Sequence, residues 1–294
     1  MRIGLTVFGI ASVASGILDL VWGEFERAHQ PVQAWGDHIP GITIFAYIAA
    51  TWLIVGGAAI LWRRSLRFGA TALTFLYGIF MLFPLPRLYT APHYLGYRAS
   101  VYIGVVSNVC GQVILFVAAA IVLGALATHN SLSRRAAMAA RWTFGFCSFA
   151  FGMGHLADIK AVAPMVPKWM PLGGAFWAVL TGIAFALAGL AIIAGVQDIL
   201  AAWLLGAMLL VFSALELVPL IFASPRNHLS WGANAYNLTA VGAARIIAEW
   251  LTDRRGAPCP GSPRTGLRPW GGDLVSETWD STTLNQGASP TPDP

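Results

Sequence analysis

The sequence predicts an all-α protein, a polytopic transmembrane helical bundle of about eight helices arranged as two parallel four-helix repeats. Three observations carry this reading. First, 57% of the 294 residues are hydrophobic and only 11% are charged, where a soluble domain carries roughly a quarter charged residues. Second, the apolar residues come in unbroken runs of spanning length and not in the alternation of a membrane barrel, so helices are the spanning element. Third, the first run recurs: "VFGIASVASGILDLVW" (Val7 to Trp22) aligns without a gap on the stretch around 143–158. Phe8 matches Phe144, Gly9 matches Gly145, Ser12 matches Ser148, Gly16 matches Gly152 and Leu20 matches Leu156.

The runs fall at about 3–22, 41–62, 68–85, 100–128, 142–156, 172–196, 199–222 and 231–251. Run one follows Arg2 and has the outline of a signal peptide, but the recurrence of Gly9, Ser12 and Gly16 deep in the chain keeps it as a first span. "WLIVGGAAILW" in run two resembles "FALAGLAIIAG" in run six. "MLFPLPRL" at the end of run three resembles "LELVPLIF" at the end of run seven, and Asn108 and Asn237 stand early in runs four and eight. With four helices in each copy the two halves share one orientation. This divides the chain into a first repeat (1–128), a basic cytoplasmic linker (129–141), a second repeat (142–252) and a disordered cytoplasmic tail (253–294) rich in Pro, Gly, Ser and Thr.

Arginine sets the orientation. Arg63, Arg64 and Arg67 in one short connection, and Arg134, Arg135 and Arg141 in another, place both termini in the cytoplasm. The net charge of +5 lies at the ends of apolar runs, which argues against a nucleic-acid partner. The immediate partner is the lipid bilayer. Cys110 and Cys147 sit inside apolar runs, Cys259 in the tail, and no CxxC or other metal-ligand spacing occurs, so no metal site is predicted. Glu24, Glu26, His29, Asp37 and His38 in the first outer loop are ligands by type only. Trp22, Trp35, Trp169 and Trp231 fit an interfacial aromatic belt.

The polar groups inside the runs are the candidates for chemistry. Spacings of 3, 4 and 3 put Gly9, Ser12, Gly16 and Asp19 on one helix face, and Gly145, Ser148, Gly152 and His155 on the matching one. Small residues let another helix approach, so both faces should meet protein, with Asp19 and His155 near the outer end. Gly206, Leu209, Ser213 and Glu216 share a face of run seven by the same count. The predicted ligand-contacting residues are His155, Glu216, Asp19, Asn108, Asn234 and Asn237, around a pocket that opens outward and takes a neutral headgroup, a quinone or a small polar solute. The competing reading makes Asn108 and Asn237 helix-to-helix glue and leaves Asp19 simply solvated at the boundary. Arg245 and Glu249, at i,i+4, read as an ordinary ion pair. No catalytic motif surrounds any nucleophile.

The stretch "GMGHLADIKAVAPMVPKWMPLGGAFWAVLTGIAFALAGLAIIAG" (Gly152 to Gly195) resembles the DoxX and DoxX-like family of four-helix membrane proteins: a small-residue helix ending in a polar position, then "VPKWMP", then Trp177 and a Gly-rich apolar helix. The first half resembles it through "DHIPGITIFAYIAATWLIVGGAAILW" but lacks the "VPKWMP" form, and the tandem duplication departs from the single unit. The resemblance implies a bacterial inner-membrane protein, an accessory or ligand-binding subunit of a membrane complex, with quinone as a possible cofactor. The alternatives are a small-solute transporter and a membrane enzyme acting on a lipid or quinone.

Overall fold

In a computed structural model, residues 3–26, 29, 40–127 and 134–256 are described. The predicted linker from 129 to 133 and the tail from 257 lie outside them, as do Arg2, Arg27, Trp35, Asp37, His38 and Cys259.

Apolar composition makes the helices, and glycine and proline cut them. Helix α1 (Ile3–Trp22) stops at Gly23 and α2 (Ile42–Leu61) follows Gly41. Helix α3 (Leu66–Leu82) gives out ahead of Pro84 and Pro86, beyond which the chain turns into the short α4 (Arg87–Leu95) and the long α5 (Ala99–Ala127). Helix α6 covers Arg134–Ala157, and α7 (Ile159–Val162) is capped by Asp158, whose carboxylate accepts the Ala161 N–H at 3.1 Å. Helix α8 (Gly173–Ala194) ends at Gly195, whose φ of 73° only glycine adopts without strain. Helix α9 (Asp198–Phe212) passes through a π turn, Ser213–Leu217, into α10 (Val218–Ala223), and α11 (His228–Gly256) closes the described chain. Pro219 accounts for the π turn: it has no N–H to give and its ring crowds the carbonyl one turn back, so the preceding turn widens.

Two boundaries differ from the sequence reading. The basic segment assigned to a linker is helical from Arg134, because "RRAAMAAR" is built of strong helix formers and charge by itself does not end a helix. For the same reason α11 runs on through Asp253, Arg254 and Arg255, the first residues of the predicted tail.

Six helical segments are long and apolar enough to cross a membrane: α1, α2, Leu66–Leu95, α5, α8 and Asp198–Ala223. The chain thus reads as a multi-pass membrane protein. Among the described residues α6 and α11, over predicted runs five and eight, do not reach that apolarity. Arginines open the first, and Asn234, Asn237, Arg245 and Glu249 punctuate the second. Their positions explain why they need not: α11 packs against α1, α9 and α5, with Ala243, Ile247 and Ala248 fully buried, and α6 packs between α5 and α8. Neighbours in the bundle run α1, α2, α3, α5, α6, α8, α9, α11 and back to α1.

The tightest crossings are built on glycine. A Cβ on Gly9 would stand 2.9 Å from the Gly57 carbonyl oxygen, and one on Gly16 2.5 Å from that of Ala50. On α6 the same holds for Gly145 against Gly189, at 2.8 Å, and Gly152 against Gly182, at 2.5 Å. Backbones this close gain dispersion contacts that any side chain would forfeit.

Candidate functional site

The C-terminal end of α6, the connection through α7 and the N-terminal half of α8 meet the π turn around a cavity of about 440 Å³. Its wall is mostly apolar, with Met165, Met170, Trp177 and Phe212 among its residues, and its two ionisable groups are His155 and Glu216. The predicted pair is therefore brought together, from two different helices. Trp177 is pinned by its indole N–H donating to the Pro171 carbonyl at 2.8 Å. The Thr181 hydroxyl donates to the Trp177 carbonyl at 2.8 Å and lies 3.2 Å from His155 Nδ1. With its proton spent there, Thr181 accepts from Nδ1–H, and His155 is left with Nε2 as a hydrogen-bond acceptor.

Glu216 arrives by a route that helical spacing does not give. Gly206 faces α11 and Ser213 hydrogen-bonds to α11, whereas Glu216 lines the cavity beside α6 and α8. The π turn between Ser213 and Leu217 changes the angular step per residue, so the single face read from 3- and 4-residue spacings breaks at Ser213.

The other four candidates lie elsewhere. Asn237 donates to the Leu209 carbonyl at 2.7 Å and to Ser213 Oγ at 2.9 Å, which makes it interhelical glue. Asn234 lies on α11 with its amide oxygen buried and without a hydrogen-bond partner. Asn108 is not wedged between helices; it is exposed on the wall of a separate, larger cavity beside α4 and α5. Asp19 is not solvated either. It is fully buried, because the chain after α1 folds back over it and the Glu26 N–H donates to its carboxylate at 2.8 Å.

A second polar cluster forms around Asp19. His228, the first residue of α11, has Nε2 3.4 Å from Asp19 Oδ1 and Nδ1 3.2 Å from Glu24 Oε1, and its ring stacks on Trp22 at 5.1 Å. Burial opposes protonation of this ring, but the two carboxylates outweigh it and hold its pKa above the ordinary histidine value. Nearby His29 is buried, stacks on Phe80 at 4.2 Å and has no hydrogen-bond partner on either nitrogen. Burial drives its pKa down to about 3, so it is a neutral ring. Among the described residues no three His, Cys, Asp or Glu side chains are grouped to hold a metal ion.

At the opposite end of the bundle, buried Asp198 joins Arg141, at 4.0 Å, to Arg255, at 2.5 Å. Arg255 also donates to the Gly195 carbonyl at 3.1 Å, at the end of α8. The Arg245 guanidinium lies 3.2 Å from the centre of the Trp203 ring, while Glu249 accepts the Gly4 N–H at 3.1 Å. Neither His228 nor Asp198 stood out in the sequence. A usable signal existed for Asp198, a lone acid at the arginine-rich end of an antiparallel bundle. For His228 none existed, since its partners lie some two hundred residues away.

Comparison with models of protein families, with curated proteins and with solved structures finds no match to this chain.

Proposed function

We propose that this chain is a DoxX-like multi-pass protein of a bacterial inner membrane, in which two parallel four-helix units form a ligand-binding bundle. Its ligand is a lipophilic molecule bearing hydroxyl or carbonyl groups, and a quinol or quinone is the chemical class that fits. The observation behind this is the cavity in which His155 and Glu216 share an otherwise apolar wall. A Nε2 acceptor and a carboxylate there match the two hydroxyls of a quinol, and the apolar lining matches its ring and tail. A binding role as an accessory subunit of a membrane redox complex follows from the family resemblance of the second half, not from the geometry.

The glycine crossings support the duplication. The α1 glycines at 9 and 16 recur at 145 and 152, and their α2 partners at 57 and 50 recur at 189 and 182, one constant displacement for each helix and, for α2, one residue from the register of the sequence match. The arginines support the orientation. Arg63, Arg64, Arg141 and Arg255 gather at the end opposite the His155 cavity, which then opens outward with both termini cytoplasmic.

The test is titration of a short-chain benzoquinol into the detergent-purified chain. Saturable binding that weakens about tenfold in Glu216→Gln and in His155→Ala is expected, the loss of about one buried hydrogen bond to a charged or imidazole group. Binding that is absent, or equal in wild type and both variants, would overturn the assignment.

A further inference from the structure

A larger cavity, about 1050 Å³, opens at the same end of the bundle between α4, the start of α5 and the end of α6. Arg87 and Arg98, at the two ends of the α4 segment, both line it, and Thr90 and Ser100 are also on its wall. Ser100 and Val101 are first-turn residues of α5, a helix of 29 residues, so the positive end of its dipole lies at the same space. Arg98 spends one guanidinium N–H on the Leu95 carbonyl, at 2.9 Å, which holds it folded over the corner with its remaining donors available. The single acid on the wall, Asp158, already caps α7. On its wall Tyr94 and Leu95 are exposed, and so are Tyr89 and Tyr97 elsewhere in the same segment, the residue types of a membrane–water boundary. Deeper along α5 the wall continues through Gly104, where a Cβ would meet nothing within 4 Å, to exposed Asn108.

We propose that this cavity binds an anionic phosphate-bearing group at the membrane surface, held by Arg87, Arg98 and the N-terminal turn of α5. Two arginines converge on one space, a helix N-terminus adds to their field, and the volume exceeds that of a bare phosphate. The group is the headgroup of an anionic lipid or a soluble phosphate compound. This site is separate from the His155 cavity and does not rest on its assignment.

The test measures thermal unfolding of the full chain in neutral detergent with added phosphatidylglycerol, with added phosphatidylcholine, and with inorganic phosphate against chloride at equal ionic strength. Phosphatidylglycerol is expected to raise Tm by about 2–4 °C or more over phosphatidylcholine. The Arg87→Gln/Arg98→Gln variant should lose that rise. The Arg63→Gln/Arg64→Gln variant, with the same change in charge at the other end, should keep it, as should His155→Ala. A response to phosphatidylglycerol alone identifies a lipid headgroup, and a response to inorganic phosphate as well identifies a site open to soluble phosphates. No preference for either anion overturns the proposal, and so does a rise that Arg63→Gln/Arg64→Gln loses as fully as Arg87→Gln/Arg98→Gln. If the Arg87→Gln/Arg98→Gln protein does not fold, the lipids retained by wild type and by Arg98→Gln in native mass spectrometry decide the same question.

Discussion

The Asn237 amide of α11 donates to Ser213 Oγ at 2.9 Å and to the Leu209 carbonyl at 2.7 Å, and so ties down the entrance to the π turn that carries Glu216. The Leu209 carbonyl also accepts the Ser213 N–H, so Asn237 contributes two further hydrogen bonds that hold α11 to the entrance of the turn. Asn237→Leu should therefore lower stability by about 1–2 kcal/mol, a few degrees in Tm, and loosen the position of Glu216. Thermal unfolding together with quinol affinity checks both effects. A stable Asn237→Leu protein with unchanged affinity would mean that the turn holds itself.

The glycine crossings make a sharper mechanical prediction. Gly9→Leu and Gly145→Leu each force a side chain into a neighbouring backbone and should cost about 1–3 kcal/mol. Gly104→Ala, where nothing lies within 4 Å, should instead stabilise by about 0.5–1 kcal/mol through helix propensity. Loss of the same size at all three positions would show that close approach is not what these glycines provide.

Stability should fall on both sides of neutrality, for two different histidines. His29 has a folded pKa of about 3, below its unfolded value, so the folded state disfavours the proton. Its contribution is full above about pH 6.5 and is lost as pH drops, by up to about 1.4 kcal/mol per pH unit. His228 is held above its ordinary value, so its contribution is full below about pH 6.5 and is lost as pH rises through the raised pKa. Melting curves from pH 4 to 9 should show His29→Phe flattening the acid limb and His228→Gln the alkaline limb. Should the two variants exchange limbs, or leave both unchanged, the charge states assigned to these rings are wrong.

Much of this architecture was legible in the sequence because membrane helices advertise themselves by apolar runs, and glycine and proline mark their ends. The faces of α1 and α6 could be read for the same reason: Gly9, Ser12, Gly16 and Asp19 are all buried. What escaped was anything that apolarity does not encode. Helix α6 begins among arginines, and Asp198 finds Arg255 only because the last helix runs past its apolar part. His155 and Glu216 were legible as intramembrane ionisable groups, yet spacing alone misplaced the face of Glu216, because a proline-induced π turn resets the count. The burial of Asp19, against the competing reading that leaves it solvated, comes from the fold-back of the chain after Trp22, which leaves no pattern in local sequence.

The most direct measurement is the small-molecule content of the protein purified in mild detergent, by absorption spectrum and mass spectrometry. The expected result is a quinone-class molecule near one per chain, lost in Glu216→Gln and His155→Ala and retained in Arg245→Ala, whose guanidinium lies over Trp203 away from the cavity. A colourless protein carrying only bulk lipid, or equal retention in all three variants, would contradict a ligand site built on His155 and Glu216.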